Sequence, residues 1–328
     1  MKKLFIAIAA LAAMTSCSQD EVMEVAEKQA ISFGTSFVDK STRAVDNTYG
    51  SVNNGVTKLI QKFKVYGTVT GNAGTVNIFN GNEVSNPGLT SYNPETAWTC
   101  NSTTQYWIPD ATYKFAAVVD ADGTTTTDEG AYGMPTKLTY KTDGQKDLLY
   151  AENNNPTYGQ IVPFTFDHLL SKVWFTVNST TPAGYHYNVK NIQISNFEEG
   201  TYTISDGNWE GTKTGNISFG NVDEVTLASG AKTNETQMLL IPNEEAYTIT
   251  FTVELYVNNQ KAESNNYSCT VSHELVKGHS YNFNIDLTVG QQILFTVQSV
   301  KTWVDGNDNP ATTDKKETSI PVTLTPAA

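Results

Sequence analysis

The eleven residues Tyr247-Thr-Ile-Thr-Phe-Thr-Val-Glu-Leu-Tyr-Val257 decide the fold class. Tyr247, Ile249, Phe251, Val253, Leu255 and Val257 fill every odd position, and Thr, Glu and Tyr fill the even ones. Side chains of a strand alternate between its faces, so this segment buries one face and wets the other. Tyr281, Phe283, Ile285 and Leu287 repeat the pattern. Beyond Gly290 the alternation resumes at Ile293, Phe295 and Val297, which predicts a hairpin. Shorter runs of the same kind are Phe63-Val65 with Val69, Tyr113-Phe115 leading to Val118, Phe164-Phe166, Val173-Phe175-Val177 and Val189-Ile192-Ile194.

Turn chemistry separates these runs. Asn-Gly stands at 54–55 and 80–81, Asp-Gly at 122–123, 143–144, 206–207 and 305–306, and Pro-Gly at 87–88. A helical turn is expected only at His168-Leu169-Leu170-Ser171-Lys172. Many short strands between such turns describe an all-β chain built of sandwiches. About 310 residues follow the leader, enough for two domains. The polar stretch 151–160, AENNNPTYGQ, places the division near residue 160, giving 44–160 and 161–328.

The N-terminus carries an export signal. Lys2 and Lys3 precede the apolar run Leu4–Ala13, which is too short to span a bilayer and suits a signal peptide over 1–16. Met14-Thr15-Ser16-Cys17 resembles a lipobox, so Cys17 is expected to carry the lipid. The acidic Ser-Gln-Asp-Glu that follows resembles a tag for surface export. The formal net charge is −13, and loss of Lys2 and Lys3 makes it −15. Without a basic patch, nucleic acid and anionic membrane surfaces are poor partners. Cys100 and Cys269 are expected to be separate thiols, and neither belongs to a CxxC pair.

Two terminal segments share one pattern. Ile31, Phe33 and Phe37 alternate with small polar residues. Beyond them Ser41-Thr42-Arg43-Ala44 presents a lone basic residue, six positions after Phe37, among small ones and ahead of a polar, turn-rich stretch that a trypsin-like protease reaches easily. At the other end Ile320, Val322 and Leu324 alternate likewise, and Pro321 confines that strand to an edge or a gap in a ladder. Two readings fit. Both segments are ordinary terminal strands of their own domain, or either completes the same groove and the second replaces the first in a neighbouring molecule by β-augmentation. Head-to-tail donation of that kind builds a filament.

The chain resembles the fimbrillins, the subunits of type V pili. The resemblance is carried by Cys17, by Ile31-Ser-Phe33 followed by Thr42-Arg43-Ala44, by the central block Phe164-Thr-Phe166-Asp-His168-Leu-Leu-Ser-Lys172-Val-Trp-Phe-Thr-Val177, by Leu239-Leu-Ile-Pro242, and by Gly278-His-Ser-Tyr281-Asn-Phe leading to Trp303. It implies two transthyretin-like Greek-key β-sandwiches in tandem. It also implies a lipidated precursor with a propeptide over 17–43. An arginine-specific protease cuts after Arg43, and the first strand (Ile31, Phe33, Phe37) is lost. The donor strand of another subunit (Ile320, Val322, Leu324) then fills the groove. The location implied is the outer membrane before the cut and an extracellular fimbrium after it, with other subunits and a host or bacterial surface receptor as partners. The cleavable Thr42-Arg43-Ala44 argues for a stalk or tip subunit over an anchor.

Catalytic patterns are missing from the sequence. His168, His186, His273 and His279 form no HExxH or other metal spacing, and there is no G-x-S-x-G elbow or P-loop. His168 is expected to brace a turn. Asp120-Ala-Asp122-Gly123 reads as a plain turn, since its glycine comes too early for a calcium loop. Glu198-Glu199 and Glu244-Glu245 read as solvated carboxylates in turns. No enzyme, cofactor or metal is expected; a sandwich glycosidase with dispersed carboxylates is the remaining enzyme reading. The rival to a pilus subunit is a surface glycan-binding lipoprotein, with Trp98, Tyr106, Trp107, Trp209 and Trp303 as candidate sugar platforms, although aromatic side chains of a sandwich are more often core and Trp303 fits the family pattern as core.

Overall fold

A computed structural model describes residues 28–34, 37–38, 52–53, 56–57, 59–88, 96–119, 125–234, 237–290, 293–300 and 325–326. The chain is all-β, as its alternating patterns require. Two 3₁₀ turns, Ala131–Gly133 and Thr142–Gly144, are the helical elements among the described residues.

The first sheet runs in the order Phe37–Val38, Thr165–His168, Leu149–Asn153, Thr112–Val119, Lys62–Gly71, Gly74–Ser85, Thr99–Cys100. The second sheet runs Lys232–Thr233, Ser171–Ser179, Ser280–Leu287, Leu294–Val300, with Met238–Leu240 also on Ser171–Ser179. The third runs Thr325–Pro326, Gln260–Val271, Tyr247–Val257, Tyr185–Thr203, Pro135–Lys141, Thr125–Glu129, with Asn208–Val225 also on Tyr185–Thr203. Pairing is antiparallel except that Ser171–Ser179 runs parallel to Ser280–Leu287 and Phe37–Val38 parallel to Thr165–His168.

The odd residues of Tyr247–Val257 point inward from Tyr247 to Leu255, as the alternation demands. They face the second sheet across one core, where Phe175 stacks on Phe283 at 5.2 Å and meets Phe219 edge-on at 4.9 Å. The hairpin past Gly290 forms, with Ile285 opposite Phe295.

The first sheet is buried on both faces. This explains the unbroken apolar run Phe115-Ala-Ala-Val-Val119, because a two-sided strand shows no alternation. Val65, Phe115, Ala117 and Leu149 face one core, and Tyr66, Ala116, Val118 and Tyr150 face another. That second face packs on Leu138, Tyr140, Leu169, Leu170, Tyr202 and Ile241, which join the first sheet to the rest. Near the expected division at 160 the strands interleave: Thr165–His168 pairs into the first sheet, and Pro135–Lys141 pairs with the far end of Tyr185–Thr203 in the third.

Three local expectations are corrected. Asn80-Gly81 is a bulge inside Gly74–Ser85, not a turn: Val65 pairs with Asn82, Tyr66 with Asn80, and Gly81 takes φ +68° between them. Residues 168–172 form no helical turn. Leu169 N–H donates to Leu148 O at 3.1 Å and Lys172 N–H to His279 O at 2.9 Å, so long-range bonds replace local ones. Glu198-Glu199 lies within the strand Tyr185–Thr203 at a register shift, paired with Lys213 and Lys141. Asp206-Gly207 does turn the long hairpin, with Gly207 at φ +70°. The Gly residues at 55, 123 and 306 lie outside the described residues.

Candidate functional site: the groove of the first strand

Residues 29–34 supply the missing layer over one face of the first sheet. Ile31 and Phe33 point into the core, and Lys28, Gln29 and Ala30 are exposed. Phe33 is fully buried. Its ring meets Phe79 edge-on at 5.0 Å, Phe115 edge-on at 5.5 Å and Phe164 stacked at 6.0 Å. Burial of each such side chain contributes about 1.5–3 kcal/mol.

The backbone of this segment is held on both sides. On one side Trp107 N–H donates to Gln29 O at 2.9 Å, Ile31 N–H to Gln105 O at 2.8 Å and Trp98 N–H to Phe33 O at 2.8 Å. On the other, Val162 N–H donates to Ser32 O at 2.9 Å and Gly34 N–H to Val162 O at 3.2 Å. Ala30 pairs antiparallel with Tyr106, Gly34 antiparallel with Ala97, and Phe33 parallel with Val162. Phe37 and Val38 continue alongside Thr165 and Phe166. The first strand therefore lies in a slot between two other segments, an arrangement that its own alternation forecasts only in part. The walls were hidden, because the pairing partners lie about 65 to 130 residues downstream.

The walls include the residues weighed as sugar platforms. Trp98 and Trp107 are buried, Trp98 against Phe63 at 5.5 Å and Trp107 edge-on to Tyr113 at 4.7 Å. Trp209 is half-buried between Tyr140 and Tyr202, and its indole N–H donates to Leu169 O at 2.7 Å. Of this set Tyr106 alone is exposed among the described residues; Trp303 lies outside them. A shared solvent-facing aromatic surface is not formed by the four that are described.

Three of the sequence motifs converge at the junction of the sheets. Ser171–Ser179 pairs with Ser280–Leu287 on one side and Met238–Leu240 on the other. Gly278 N–H donates to Leu170 O at 2.8 Å, and Ser171 Oγ donates to Val276 O at 2.7 Å. His168 Nδ1 lies 3.0 Å from Asp147 Oδ1 with both side chains buried, so it braces the crossing between sheets. Among the described residues no group of three His, Cys, Asp or Glu is placed to hold a metal. Cys100 and Cys269 are both free thiols.

Cys17, Arg43, Ala44, Ile320, Val322 and Leu324 lie outside the described residues. Immediately after them in the chain, Thr325–Pro326 pairs with Ser268 and Tyr267 on the edge of Gln260–Val271.

A family model described as fimbrillin-like matches residues 42–303. No protein of curated function matches the sequence. Among solved structures, a fimbrial protein from Bacteroides vulgatus ATCC 8482 superposes with a TM-score of 0.56 at 12% identity, over 83% of this chain and 99% of that one. A candidate cell adhesion protein from Bacteroides uniformis ATCC 8492 gives a TM-score of 0.50 at 17% identity, over 84% and 98%.

Proposed function

This chain belongs to the fimbrillin-like family, and from that premise we propose that it is a structural subunit of a cell-surface type V pilus, in the stalk or at the tip, that supports adhesion. It is exported as a lipoprotein on Cys17, with residues 1–16 as signal peptide and 17–43 as propeptide. An arginine-specific protease cuts between Arg43 and Ala44, the strand bearing Ile31, Phe33 and Phe37 leaves, and the Ile320-Val322-Leu324 strand of another subunit replaces it.

One observation carries this reading. The Gln29–Gly34 segment sits in the middle of a layer, with backbone partners on both sides and Phe33 in a phenylalanine pocket. Its departure leaves unpaired backbone groups and open apolar pockets that a strand of the same period fills. In sequence the cut falls between Phe33 and Ile60, two residues of the same core, so it separates the first strand from the segment that follows. The glycan-binding alternative loses support from the burial of Trp98 and Trp107.

Treating the purified precursor with an arginine-specific protease tests the proposal, with mass spectrometry to locate the cut and electron microscopy to score fibres. A new N-terminus at Ala44 with fibres is the expected result. Arg43→Ala is expected to leave a folded, unpolymerised precursor; fibres from that variant at the normal rate would sink the cleavage step.

A further inference from the structure

The groove reads the backbone of its occupant as well as its side chains, and this fixes a register. Along the first strand, Ile31 and Gly34 use their N–H groups, donating to Gln105 O and Val162 O. Ser32 uses only its carbonyl, which accepts from Val162 N–H; its own N–H has no backbone partner among the described residues. Position 32 is therefore a place where a residue without an N–H costs the ladder nothing.

The chain's second terminal segment carries such a residue. Pro321 stands between Ile320 and Val322 in Ser319-Ile-Pro-Val-Thr-Leu-Thr325. We propose that residues 318–326 of a second copy of this chain occupy the groove in one register, running in the direction of the first strand. Ile320 takes the place of Ile31, Pro321 that of Ser32, Val322 that of Phe33 and Thr323 that of Gly34. This rests on the strand-exchange reading above and adds the alignment that reading lacks.

The inward-outward period of two allows only shifts by two residues. A shift forward puts Pro321 on Gly34, where the N–H that bonds Val162 O is required. A shift backward puts Ile320 on Gln29, which is exposed, and wastes its side chain. In the chosen register every group that the groove offers is met. Thr318 O accepts from Trp107, Ile320 N–H donates to Gln105, Val322 O accepts from Trp98, Pro321 O accepts from Val162, and Thr323 N–H donates to Val162. Five backbone bonds form in the groove, against two paired residues for Thr325–Pro326 on its own sheet edge. Pro321 is thus a specificity-determining residue of the donor: it forbids the register shifted forward by two, while the backward shift keeps the backbone bonds and is disfavoured by the exposure of Ile320.

Engineered disulfides test the alignment. Gly34 faces Ala97 in an antiparallel bridge, and residues directly opposite in such a pair have Cα atoms about 4.5–5.5 Å apart, close enough for a disulfide. In the full chain carrying Cys100→Ser, Ala97→Cys is combined with Thr323→Cys for the chosen register or with Thr325→Cys for the backward shift, and, for the forward shift with Pro321 kept, Tyr106→Cys, which faces Ala30, is combined with Glu317→Cys. Each protein is cut with the arginine-specific protease, allowed to polymerise, oxidised and run on a non-reducing denaturing gel. The Thr323→Cys combination is expected to give a ladder of covalent oligomers at least tenfold stronger than either other combination. A dominant ladder from Thr325→Cys or Glu317→Cys overturns the register. Fibres by electron microscopy with no ladder from any combination overturn it as well, placing the occupant elsewhere or in the reverse direction. If the cut parent chain makes no fibres at all, strand exchange itself fails, and the register falls with it.

Discussion

Tyr281 repeats in one sandwich the contact that Tyr113 makes in the other: each phenol oxygen accepts the backbone N–H five residues upstream, Val276 at 2.7 Å and Ile108 at 2.6 Å. The turn between partner and tyrosine is also shared. His279 N–H donates to Val276 O at 3.2 Å and Ala111 N–H to Ile108 O at 3.4 Å, and the third residue of each turn has positive φ, +68° at Gly278 and +60° at Asp110. The two stretches, Val276-Lys-Gly-His-Ser-Tyr281-Asn-Phe283 and Ile108-Pro-Asp-Ala-Thr-Tyr113-Lys-Phe115, each lead into a strand at the centre of a sheet.

Removing either hydroxyl leaves a partly buried N–H unpaired, which costs about 1–3 kcal/mol. Tyr281→Phe and Tyr113→Phe are each expected to lower the unfolding free energy by that order in urea denaturation. The two losses should add, because the sites sit in different cores. Full stability in both variants would show that the corners are incidental.

Burial separates the two thiols chemically. Cys269 lies in the core of the second sandwich, and burial pushes its thiol up to about 12 from the ordinary 9.0, overriding the opposing backbone hydrogen bond to Ile249. The thiolate is the nucleophile, so the native chain is expected to react with a thiol reagent at Cys100, which is half-buried, and to spare Cys269 until it unfolds. Linkage gives a second readout. A raised pKa means that the folded state holds its proton more tightly than the unfolded one. The corresponding stability is present below pH 9 and is lost as pH rises from 9 towards about 12. Cys269→Ala is expected to flatten that part of the stability–pH curve. Equal labelling of both thiols in the native chain would contradict the buried placement.

The readable parts of this fold were those with one wet face. Tyr247–Val257 declares itself because Thr248, Thr250, Thr252 and Glu254 point away from the core. Asn208–Val225 did not, since as an outer strand it is polar through most of its length, and Gln260–Val271 is exposed over its first half. The turn joining the latter to its partner is Asn258-Asn259, with φ +47° and +63°, an Asn pair that does the work of Asn-Gly. The tyrosine repeat leaves no sequence pattern, because the shared contact needs only Tyr and a backbone N–H and the residues around it are free to differ. At the candidate site, the inward pair Ile31 and Phe33 was legible as alternation. Gln105, Trp107, Trp98 and Val162 were not, because backbone pairing over such separations leaves no local pattern, and the two tryptophans, though of a type more often core than sugar platform, carry no sign of which strand they border.

Phe33 is the side chain on which the first strand's retention turns. It fills a pocket formed by Phe79, Phe115 and Phe164, and shape loss there combines lost transfer energy with a residual cavity. Phe33→Ala is expected to destabilise the uncut precursor by about 3–5 kcal/mol in chemical denaturation, the usual range for a buried phenylalanine. The loss should fall on the first sandwich alone, since the second core, around Phe175 and Phe283, does not include this residue. After cleavage the first strand is no longer covalently joined, so its hold depends on these contacts, the five backbone bonds of Gln29–Gly34 and the pairing of Phe37 and Val38 with Thr165 and Phe166. The cut Phe33→Ala chain is therefore expected to release residues up to Arg43 faster than the cut parent, followed by size-exclusion chromatography with mass spectrometry. A variant that unfolds like the parent, or that keeps its first strand as long, would show that the groove is held by the backbone pairing and leave the phenylalanine pocket without a part in the exchange.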